Sequence, residues 1–144
     1  MKFERRFTTA GKDPYATHDF RFASSEIKNP DGTVVFRAEN IEVPVKFSQV
    51  ATDIMAQKYF RKAGVPAQLK TVEESAVPSW LWRSVPNEAA LAELPEEDRF
   101  SGERSAKQVF NRLAGTWTYW GWKGGYFSDE EDARTYYDEM CYML

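Results

Sequence analysis

Cysteine is almost missing from this 144-residue chain, and Cys141 is its only thiol. That excludes an intrachain disulfide and suits a reducing compartment, so the expected location is the cytoplasm. Histidine is equally scarce. His18 stands alone, so neither a His-His metal spacing nor a Cys-His-His site can be assembled, and no metal site is expected. There is no excess of positive charge either. The formal net charge is −3 and basic residues come in pairs such as Arg5-Arg6 and Arg61-Lys62, which disfavours nucleic acid as a direct partner. No uncharged apolar run approaches the roughly 18 residues of a membrane span, and no apolar stretch follows Met1-Lys2-Phe3-Glu4-Arg5-Arg6 as a secretion signal would. Neither Gly-x-Gly-x-x-Gly nor the phosphate-loop pattern ending in Gly-Lys-Ser/Thr occurs.

Aromatic residues are abundant by contrast, at 15% of the chain, and they run from Phe3 to Tyr142. Their most concentrated stretch spans Gly115 to Phe127, where three of the five tryptophans (Trp117, Trp120 and Trp122) alternate with Tyr119, Lys123 and four glycines. Each indole offers a large apolar surface and one N–H that needs an acceptor when buried. Such a segment is either a packing core or a platform for a flat ligand, with Lys123 available for charge. Aromatic clusters between capped helices favour packing.

The order of patterns predicts an α+β fold, with an N-terminal β-hairpin or small antiparallel sheet followed by a mainly helical, aromatic-rich part, all in one domain over 1–144. Thr17 to Ile27 and Thr33 to Arg37 flank Asn29-Pro30-Asp31-Gly32, a hairpin signal. Ile41, Val43, Val45 and Phe47 alternate as a further strand, which Pro44 confines to an edge. From Ser48 to Lys62 the period changes to that of a helix of about four turns, closed by Gly64 and Pro66. Val77 to Arg83 predicts a short helical turn that drives Trp80 and Trp82 inward. Asn87 caps a helix over Glu88 to Leu94, which ends at Pro95. Ser105 and Gln108 form a capping box for a helix whose apolar face (Val109, Phe110, Leu113, Ala114) runs to Gly115, and Ser128 with Glu131 repeats the form for a last helix. That helix reaches Leu144 with an apolar Tyr142-Met143-Leu144 end and no glycine cap, as a chain cut from something longer would.

Chemistry-bearing groups are few. Cys141 shares a helical face with Tyr137 and Leu144, which predicts a packed, inert thiol. His18 reads as a solvent-facing strand residue. The acidic groups Glu73-Glu74, Glu96-Glu97-Asp98 and Asp129 to Asp132 read as solvated surface. No catalytic, cofactor-binding or metal-ligating residue emerges. Trp80, Trp82, Trp117, Tyr119, Trp120, Trp122 and Lys123 remain as packing or ligand-platform residues.

Four strings add what spacing does not: Glu26-Ile27-Lys28-Asn29-Pro30-Asp31-Gly32, Ala56 to Val65 (AQKYFRKAGV), Val77 to Pro86 (VPSWLWRSVP) and Ala114 to Gly124 (AGTWTYWGWKG). Together they resemble the N-terminal region of class II, adenosylcobalamin-dependent ribonucleotide reductases of bacterial type. The resemblance implies a parent enzyme that reduces ribonucleoside diphosphates to 2′-deoxyribonucleotides. It implies a thiyl radical on a cysteine of an α/β barrel, a cysteine pair as reductant and a thioredoxin-like donor. One cysteine cannot fill those roles, and Cys141 matches no cysteine motif of the family, so no catalytic residue is carried over. The expected role is structural support of the barrel, with the two tryptophan clusters as anchors and no catalysis by this chain. The alternative is a stand-alone aromatic-rich module that binds a nucleotide or a protein.

Overall fold

The computed structural model describes residues 1–144 and has the expected α+β composition. β1 (Phe20–Lys28) and β2 (Val34–Pro44) form an antiparallel hairpin closed through Asn29 N–H to Thr33 O at 2.8 Å, with Asp31 Oδ1 accepting from Thr33 N–H. The two strands expected after the turn are one. Asn40, at φ 53°, makes a bulge where the register passes from Ser25↔Ala38 to Ala23↔Ile41, so the chain bends without leaving the ladder. β2 stops at Pro44, before Val45 and Phe47. Ile41 and Val43 point into the core, as their alternation requires.

Ser48 caps α1 (Gln49–Ile54), which widens into a π-helical turn, Met55–Tyr59, that ends three residues short of the expected Lys62, with buried Phe60 at its C-cap. The stretch from there to residue 104 is knitted by two short ladders. β3 (Val65–Pro66) pairs with β6 (Phe100–Ser101), and β4 (Leu69–Thr71) with β5 (Ser84–Pro86). A 3-10 turn at Ser79–Leu81 precedes β5, and α2 (Glu88–Ala92) starts where Asn87 Oδ1 accepts from Ala90 N–H. Glu96–Asp98 form an exposed 3-10 turn.

α3 (Ala106–Lys123) opens on the predicted capping box, with Ser105 Oγ accepting from Lys107 N–H and Gln108 Oε1 accepting from Ser105 N–H. The tryptophan–glycine run does not follow this helix but forms its C-terminal half. Two interior glycines cost roughly 1 kcal/mol each in helix propensity. At Gly121 the gain is visible: a Cβ there would lie 2.7 Å from the Phe127 ring, which is packed between Phe3 and Tyr136. Gly121→Ala should therefore destabilise the chain by about 1–3 kcal/mol through overpacking, read as a lower midpoint in urea. The helix ends in a Schellman arrangement, with Gly125 at φ 70°, Tyr126 N–H to Gly121 O at 2.9 Å and Gly125 N–H to Trp122 O at 3.0 Å. The chain then turns into α4 (Glu130–Met143), whose cap is Asp129 rather than Ser128. Ser128 Oγ instead donates to Met1 O.

α3 lays Ala106, Val109, Phe110 and Ala114 against the hairpin residues Ile41 and Val43, against Tyr15 and Phe60, and against Cys141 of α4. No helix is long and apolar enough to cross a membrane.

Candidate functional site: a cleft of tryptophan and arginine

Residues 74–82 lie as a strap across the second half of α3, and the predicted aromatic residues hold it there. Trp122 Nε1 donates to Ala76 O at 2.7 Å, while Trp82 Nε1 closes the strap on itself through Val77 O at 2.9 Å. Tyr119 Oη donates to Glu74 Oε2 at 2.8 Å, and Lys123 Nζ reaches Glu74 Oε1 at 2.7 Å. Lys123 and then Tyr119 hold the Glu74 carboxyl below its usual range, so this acidic residue is engaged rather than simply solvated. Trp80 is half-buried; its Nε1 donates to Glu130 Oε1 at 3.0 Å and its ring carries the Arg134 guanidinium 4.9 Å from the centroid.

Trp117 faces another way, and Trp120 borders both sides. With Phe3, Tyr126, Phe127 and Tyr136 they line an apolar groove of about 300 Å³. Trp120 is 63% exposed and has no partner for its N–H, so it is the one indole that the chain itself leaves unpacked. Sequence reasoning grouped all seven residues. Helical spacing separates them, because Tyr119, Trp122 and Lys123 turn toward the strap, Trp117 turns toward the N-terminal segment and Trp120 stands between the two sides.

Beyond the strap lies a larger cleft of about 830 Å³, bounded by Trp80, Trp82, Tyr119 and Trp120 and by Arg61, Arg83, Arg112 and Arg134. The arginines were not singled out from sequence, where they are isolated or paired with lysine. They converge only because buried Glu103 binds two of them, with Oε1 3.2 Å from Arg61 Nε and 3.0 Å from Arg112 Nε.

Two further sequence expectations need correction. His18 precedes β1 and is half-buried, its ring 4.4 Å from that of Tyr142 and its Nε2 enclosed without a partner. Asp132 is not solvated: it is buried and accepts from Phe3 N–H at 3.1 Å. Asp129, at the α4 cap, stays exposed as expected. Cys141 is packed as expected, 1% exposed, and burial pushes its thiol up, away from the reactive thiolate. Its Sγ lies 3.7 Å from Asn111 Oδ1, which also accepts from the hydroxyls of Tyr15 and Tyr137. Burial is the main force raising both phenols.

The family model described as class II vitamin B12-dependent ribonucleotide reductase matches residues 21–144. The chain belongs to that family. It is 65% identical over 144 residues to the vitamin B12-dependent ribonucleotide reductase of Bradyrhizobium diazoefficiens and 66% identical to that of Agrobacterium fabrum, with all of this chain covered in both. A more distant relative of the same name, from Rhodopirellula baltica, is 28% identical over 99% of the chain. The chain spans only 12%, 11% and 11% of the lengths of these three reductases.

The metal-ligating imidazole and thiol side chains of this chain number one each. His18 Nε2 is enclosed beside Tyr142, the Cys141 thiol is buried, and no three His, Cys, Asp or Glu side chains converge.

Proposed function

We propose that this chain serves as the supporting N-terminal domain of an adenosylcobalamin-dependent reductase that converts ribonucleoside diphosphates to 2′-deoxyribonucleotides for DNA synthesis in the cytoplasm. The 144 residues act as one domain that frames the catalytic barrel of the same parent protein. The ribonucleotide substrate and a thioredoxin-like reductant meet the barrel, not this domain. The observation that carries this reading is the state of the only thiol. A radical cysteine and a redox pair require three cysteines within reach of one substrate, and Cys141 is single, 1% exposed and raised by burial.

Tyr119, Trp122 and Lys123 act as internal anchors that hold the strap on α3, while Trp80 ties it to α4 through Glu130 and Trp82 braces it from within. Trp117 and Trp120 act as external anchors, because an exposed indole beside an apolar groove is the kind of surface a neighbouring domain covers. The chain incubated with adenosylcobalamin, a ribonucleoside diphosphate and a dithiol should form no deoxynucleotide above the protein-free blank. Measurable turnover would overturn the supporting role.

A further inference from the structure

The larger cleft carries a charge asymmetry that domain support does not use. Arg61, Arg83, Arg112 and Arg134 line it and no aspartate or glutamate does, in a chain whose net charge is −3. The compensating carboxylates stand behind the guanidinium groups. Glu103 takes Arg61 through Nε, and Asp138 takes Arg134 through Nε at 3.1 Å. Arg83 comes no closer than 3.7 Å to Glu74. The terminal Nη groups of Arg61, Arg83 and Arg134 therefore donate to no protein acceptor, while Arg112 spends one of its two on Tyr59 O and Glu103. A guanidinium fixed at Nε with its Nη groups unspent is already oriented for an incoming anion and loses little entropy on binding one.

Four arginines in one cleft favour the denser negative charge of phosphate over carboxylate. Adjacent phosphorus atoms of a polyphosphate each bring negative oxygens into one concave site, whereas carboxylates on one side of an extended peptide recur only about every 7 Å. The volume, about 830 Å³, lies within the range of small-molecule pockets. Trp82 stands at the same cleft to receive a flat ring.

We propose that the cleft between α3 and residues 79–86 binds a polyphosphate-bearing ligand, with phosphoryl oxygens held by the Nη groups of Arg61, Arg83, Arg112 and Arg134. This site is separate from the supporting role and does not depend on it.

Calorimetric titration of the chain with inorganic tripolyphosphate, ATP, adenosine and a glutamate-rich peptide tests the proposal. Tripolyphosphate and ATP should bind, adenosine about 100-fold more weakly, and the affinity for both anions should fall several-fold between about 50 and 200 mM salt. ATP binding about tenfold more tightly than tripolyphosphate, with a shift in tryptophan emission, identifies a nucleotide; equal affinities identify the phosphate chain alone, and either result supports the site. Arg83→Glu should weaken both by about tenfold or more with an unchanged melting temperature, since this side chain is 59% exposed and has no hydrogen bond to lose. Arg61→Gln, which leaves Arg112 on Glu103, should add to that loss. Equal affinity in wild type and Arg83→Glu, no binding of either phosphate compound, or a peptide that binds as tightly as tripolyphosphate would overturn it.

Discussion

Glu103→Ala is expected to lower the unfolding free energy by about 3–5 kcal/mol, the usual loss when one partner of a buried ion pair is removed. The Glu103 side chain is 2% exposed and gathers four donors. Arg61 N–H and Nε lie at 2.9 and 3.2 Å, and Arg112 Nε and Nη2 at 3.0 and 3.1 Å. Alanine would leave those N–H groups facing an empty polar site and would release the α1 exit from the start of α3. For a chain of this size the loss corresponds to a fall in Tm of roughly 10 °C, measurable by circular dichroism. Glu103→Gln keeps an acceptor and should cost less.

The same residue sets an acid limit. Burial is the largest single influence on the Glu103 carboxyl and pushes it up. Hydrogen bonds from Arg112 and the Arg61 N–H, with the charges of both arginines, together outweigh it and hold the group below its ordinary value of 4.5. A depressed carboxyl binds fewer protons in the folded than in the unfolded chain. Its stabilisation is therefore present above about pH 4.5 and is lost as pH falls through the folded value. Glu103→Ala should flatten the acid limb of a stability–pH curve in that window. An unchanged slope would mean that other carboxyls set the limit.

Asp138→Ala should have a comparable effect with a different signature. Its carboxylate, 1% exposed, accepts from Arg5 Nη1 at 2.8 Å and Arg134 Nε at 3.1 Å. This pair ties the N-terminal segment to α4, where Phe3 also packs 5.2 Å from Tyr136 and Thr8 Oγ1 donates to Glu139. Without Asp138, Arg5 keeps only the exposed Glu131 as a carboxylate partner, at 3.3 Å. About 3–5 kcal/mol should be lost. Residues 1–8 should open before the rest, so trypsin should cut after Arg5 and Arg6 under conditions where the wild-type chain is intact. Equal cleavage rates would show that aromatic packing alone holds the segment.

Much of the fold was legible because it depends on local chemistry. The capping box of Ser105 and Gln108 and the Asn87 cap each act within one turn, and the hairpin follows from Asn29-Pro30-Asp31-Gly32 and its flanking alternation. Failures came where a local signal competed with packing. Gly115 looked like the end of a helix, yet α3 continues to Lys123, because Gly121 admits the Phe127 ring and the strap binds Tyr119, Trp122 and Lys123. The bulge at Asn40 joined two apparent strands, since one left-handed residue costs less than breaking the ladder.

Sequence alone determined the fold class, most helix starts, the inert thiol and the membership of a reductase family, all of which rest on residue type, short-range spacing or long matching strings. Tertiary structure decided which carboxylates are buried, which indole stays exposed and that four arginines share one cleft. Arg61 and Glu103 are 42 residues apart. Their pairing follows from how α1, the short ladders and α3 pack, and no local pattern encodes a contact made across that distance.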